Sequence, residues 1–169
     1  ASIFRNLVEV EAEIHGTKLE DVTLHDVGAI DAIVDIVGCN IGLEILGIEN
    51  IYCSSIPSGS GTVPSTHGTI PVPAPATLKL LTTSGAPIRT TEGTAPDMEL
   101  ATPTGVAVMT TIASFQQPML RLERIGYGLG TRDPKGYPNV LAIWLGKPVN
   151  DFGVSSLILI ETNIDDMNP

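Results

Sequence analysis

Apolar positions along the chain alternate between a helical and a strand-like rhythm. Ile3, Phe4, Leu7, Val8, Glu11 and Ile14 trace one face at i, i+3/i+4 spacing, with Ser2 placed to cap the start and Gly16 to end it, so the chain opens with a helix. A second helix is predicted over 29–46 with Gly47 as its C-cap, leading into a β-rich run at 51–56. From 57 to 75 the spacing of Gly59, Gly61, Gly68, Pro64, Pro71 and Pro73 leaves no periodicity, and a long irregular loop is expected. Pro75 suits the first position of a short helix reaching about residue 82. Residues 86–91 read as a strand. Thr102-Pro103-Thr104-Gly105 opens another helix through about 113, with Thr102 or Thr104 as cap and Val106, Val108, Met109 and Ile112 behind it. Strands are expected at 120–125, 139–145 and 155–160, with the glycines of 126–130 read as a turn.

This order of elements implies an α/β fold: helices packed on a mostly buried sheet, in a single domain with a long Pro/Gly-rich loop. A length of 169 residues suits one domain, and with only 4% aromatic residues the core must be built from Ile, Val, Leu and Ala. The chain does not begin with Met and stops soon after the acidic run at Asp165-Asp166. A piece of a longer protein is therefore expected, with residues 1–160 as the domain and 161–169 as a junction to a further C-terminal domain.

Charge narrows the partners. Nineteen acidic against nine basic residues give −10, which repels a phosphate backbone and an anionic bilayer, so neither nucleic acid nor membrane is expected. No apolar run approaches the roughly 18 residues of a membrane span, and Ala1-Ser2-Ile3-Phe4 lacks the order of a signal peptide; a cytoplasmic location follows as an expectation. Cys39 and Cys53 lack metal or redox spacing and read as buried free thiols.

The richest stretch chemically is His25-Asp26-Val27-Gly28-Ala29-Ile30-Asp31 with Asp35-Ile36-Val37-Gly38. Asp31 and Asp35, four apart, share one face of an otherwise apolar helix, and such a helix is normally buried. Their partner is either water, which makes the stripe a solvated side, or a divalent cation with His25 as an imidazole ligand. Only neutral imidazole ligates, so a site using His25 should weaken between about pH 7 and 5. His67, in a glycine-flanked loop, is a further candidate ligand, whereas His15 before Gly16 reads as a charge complement to its helix terminus. Phosphate could be cradled by Gly59 and Gly61, by Thr102, Thr104 and Gly105 at a helix start, or by 126–130. None completes a nucleotide-binding fingerprint. No nucleophile is flanked by activating residues, and no catalytic residue is assigned.

Taken with His67-Gly68-Thr69-Ile70-Pro71-Val72-Pro73-Ala74-Pro75, Thr102-Pro103-Thr104-Gly105, Gly126-Tyr127-Gly128-Leu129-Gly130 and Glu161-Thr162-Asn163-Ile164-Asp165-Asp166-Met167, that stretch resembles the nickel insertion proteins that complete the nickel-pincer nucleotide cofactor of lactate racemase. The family's usual His-Glu is His25-Asp26 here. The resemblance implies a nickel-inserting lyase acting on a dithiocarboxylated pyridinium mononucleotide, with cytidine triphosphate (CTP) consumed and manganese or magnesium accompanying it. It also implies that an N-terminal segment and the C-terminal domain associated with CTP lie outside this chain. His25, Asp31, Asp35 and His67 would then receive nickel. A non-catalytic scaffold and a nucleotide- or phosphate-binding domain stay open as alternatives, as does a homo-oligomer.

Overall fold

The computed structural model describes residues 1–22, 30–91, 93, 95–149 and 157–161. Helix α1 (Ser2–His15) buries Ile3, Leu7 and Val10 along one face and ends where Gly16 turns left-handed at φ 61°, its N–H reaching the Ala12 and Glu13 carbonyls. Ser2 is the first helical residue and Ala1 occupies the cap position without a side-chain bond, so the expected serine cap does not form. Helix α2 (Ile30–Ile45) lies within the predicted span.

Strand β1 (Asn50–Cys53) is followed by the two-residue β2 (Ile56–Pro57). The Pro/Gly-rich stretch then departs from its irregular reading, because β3 (Thr62–Ser65) and β4 (Gly68–Pro71) form a tight antiparallel hairpin. Antiparallel rungs alternate between bonded and unbonded pairs. Counting from Ser65↔Gly68, the prolines fall on the even rungs, Pro64↔Thr69 and Thr62↔Pro71, while the next odd position is bonded from Val72 N–H to the Gly61 carbonyl. Neither proline removes a ladder bond, which is how the segment tolerates both.

Helix α3 (Pro75–Ser84) begins at Pro75 as predicted, and β5 (Ile88–Arg89) pairs in parallel with β2. Helix α4 (Pro103–Ile112) is capped by Thr102, whose Oγ1 accepts from the Gly105 N–H at 3.2 Å. The main sheet has the order β1-β8-β7-β6, built from β6 (Leu120–Leu129), β7 (Val140–Pro148) and β8 (Leu157–Glu161), with β1 and β8 parallel and the other pairs antiparallel. The 126–130 turn is also corrected. Gly126 to Leu129 continue β6, paired with Ile143 to Val140 of β7, because cross-strand bonding outweighs the weak strand preference of glycine.

The principal core joins Ile3, Leu7 and Val10 of α1, Leu80 and Leu81 of α3, and Val106 and Val108 of α4 to Ile36, Cys53 and Ile56. The chain is thus an α/β domain with its helices gathered against the β1–β2 end. Burial thins away from that centre. Strand β6 is exposed over nearly its whole length, and α2, read as a buried helix, buries only Ala32 and Ile36 while leaving Ile30 81% and Ile45 79% exposed.

Candidate functional site

Asp31 and Asp35, four residues apart on α2, both line a cavity of about 350 Å³. Asp31 lies in the first turn of α2, where its Oδ1 accepts from the Ala32 N–H at 2.9 Å and its charge suits the helix N-terminus. The opposite wall comes from the end of the 95–102 segment and the start of α4, contributing Glu99, Thr102 and Thr104, while the hairpin supplies Val63 and Ser65. Burial pushes the Glu99 carboxyl above its ordinary pKa, with nearby Arg132 pulling it partly back. Sequence reading missed Glu99. It sits in an irregular segment with no periodic signal, and the fold alone places it on the cavity that Asp31 and Asp35 line.

Asp35, Thr102 and Thr104 also border a second cavity of about 370 Å³. Its walls are mainly apolar, including Ile56, Val108, Met109 and Leu141, with Gly105 of α4 and Cys39 of α2 at its edge. The two spaces adjoin at the first turn of α4, so carboxylates, the start of that helix and an apolar wall border one region. Both cysteines are free, and burial raises the Cys39 thiol above its usual pKa and Cys53 to about 11.

The other sequence candidates fall elsewhere. Gly59 and Gly61 pack on the 97–100 segment: a Cβ on Gly59 would strike the Met98 carbonyl, and one on Gly61 would come within 2.9 Å of Asp97 Cβ. Their lack of a side chain permits that close approach. His67 is exposed in the two-residue turn of the β3–β4 hairpin and borders a different cavity of about 210 Å³, beside His15 and Glu11. His25, with Asp26 and Gly28, lies outside the described residues. Among the described residues no three His, Cys, Asp or Glu side chains are grouped to hold a metal ion as they stand.

Fold and cavity together define an α/β domain with an oxygen-donor cleft beside a helix N-terminus. The chain belongs to the nickel insertion protein family, whose model matches residues 1–169. Relatives provisionally named nickel insertion proteins include that of Roseiflexus castenholzii, 48% identical over 97% of this chain and 41% of its own. Those of Thermomicrobium roseum and Dictyoglomus thermophilum are each 46% identical over 99% of this chain, covering 41% and 42% of their lengths. The chain spans about two-fifths of the length of these curated relatives. No solved structure matches it significantly. Among the described residues, no helix is long and apolar enough to cross a membrane.

Proposed function

We propose that this chain receives nickel and presents it for insertion into a dithiocarboxylated pyridinium mononucleotide, the step that yields the nickel-pincer cofactor of lactate racemase. The observation that carries the reading is the shared cavity of Asp31 and Asp35, which adjoins an apolar space at the start of α4. Family membership supports nickel as the ion. Nickel accepts carboxylate and imidazole ligands, and a site with few hard donors releases it to substrate thiolates more readily than a thiolate cage would. The apolar cavity suits a pyridinium ring, and the Thr104 N–H at the start of α4 with the Thr102 and Thr104 hydroxyls suits its phosphate.

In the insertion itself, divalent nickel gains bonds to two thiolate sulfurs and one ring carbon, and that carbon gives up its proton, so the metal keeps its charge. CTP, with manganese or magnesium, is assigned to the further part of the longer chain. The 169 residues alone are accordingly expected to bind nickel without turning over.

Separate calorimetric titrations with nickel, manganese and CTP test the reading. Nickel binding without CTP binding is expected. CTP binding with no response to nickel would favour a nucleotide-binding domain, and no response to any of the three would favour a scaffold.

A further inference from the structure

The turn of the β3–β4 hairpin carries His67 back onto the C-terminal end of α1, where its ring meets that of His15 with centroids 5.0 Å apart and planes inclined by 46°. Glu11, one helical turn before His15, holds its Oε2 3.2 Å from His15 Nε2. A helix-terminal histidine with an i, i+4 glutamate is an ordinary arrangement by itself. The second imidazole, delivered from an unrelated element, is the additional feature.

We propose that His15 and His67 form a separate, open site for a divalent transition metal, with Glu11 as the carboxylate that orients His15. Geometry supports two ligands on one ion. With a metal–nitrogen bond of about 2.1 Å and a ring nitrogen about 1.1 Å from its centroid, cis imidazoles at roughly 90–110° place their centroids about 4.5–5.2 Å apart. The observed 5.0 Å lies in that interval. The Glu11 contact at Nε2 matches the usual support of a ligating histidine, in which one ring nitrogen donates to a carboxylate and the other faces the metal. Two protein ligands are also compatible with the lack of a three-residue cluster among the described residues.

The pair lines the 210 Å³ cavity, and that cavity shares Ser65, Ile70, Ala74 and Pro103 with the aspartate cavity, so the hairpin and the α4 start stand between the two. The proposal rests on the nickel reading only for the choice of ion.

The test is a nickel titration of the whole chain, followed through the imidazole signals of each histidine by nitrogen-15 NMR. Paramagnetic nickel is expected to broaden the His15 and His67 rings together, and to do so equally in the Asp31→Asn/Asp35→Asn variant. His67→Asn, at an exposed turn where folding is not at stake, should abolish the His15 broadening, and Glu11→Gln should weaken it by about 10–100-fold. Sharp His15 and His67 signals alongside binding at Asp31 and Asp35 would overturn this site and leave the carboxylate reading standing. Broadening of His15 that survives His67→Asn would also overturn it, because the histidine would then be binding alone.

Discussion

Glu99 is a carboxyl group whose ionisation depends on the fold. Burial raises its proton affinity, with Arg132 partly opposing the shift, so the folded chain holds this proton more tightly than the unfolded chain does. Between the ordinary glutamate value and the raised folded value, the native state binds more protons, and stability falls as pH rises through that window. Below the window the group contributes no difference. Urea midpoints measured across about pH 4 to 7 should therefore fall less steeply for Glu99→Gln than for wild type. Were Glu99 a nickel ligand beside Asp31 and Asp35, nickel affinity would rise with pH over that interval and rise less in Glu99→Gln; parallel profiles for the two chains would exclude Glu99 from the site. Of the cavity residues, Asp31 and Asp35 were legible because four-residue spacing on a helix is a local rule. Glu99 and the meeting of His15 with His67 were not, since both depend on long-range placement of irregular segments and no residue spacing encodes that.

At the level of elements, legibility followed local chemistry. Helices α1, α3 and α4 carried their own punctuation in Gly16, Pro75 and Thr102, and all three signals mark real boundaries. The β3–β4 hairpin was hidden because a list of prolines does not reveal which rungs they occupy, and β6 ran on through Gly126 to Leu129 because β7 supplied a bonding partner. For α2, apolar composition suggested burial, yet its contacts reach only one narrow face. Two substitutions separate packing from capping. Leu7→Ala in α1, at a side chain 1% exposed, should cost about 2–5 kcal/mol by urea unfolding. Thr102→Ala removes only the cap of α4 and should cost about 1 kcal/mol. A Leu7→Ala cost no larger than the cap would place α1 outside the principal core.

On the scale of the whole molecule, the formal charge of −10 favours cations in general, so nickel affinity should weaken as salt rises from about 0.01 to 0.15 M. That dependence reports the overall field, whereas the proposed site rests on the convergence of α2, the hairpin and the α4 start on one cavity. The most direct measurement compares nickel titrations of the wild-type chain and the Asp31→Asn/Asp35→Asn variant by calorimetry, after matched circular dichroism spectra establish that both are folded. Loss of one nickel equivalent in the variant, with the His15–His67 signals still responding, is the expected result. Undiminished stoichiometry and affinity in the variant would contradict the assignment of nickel to the α2 aspartates.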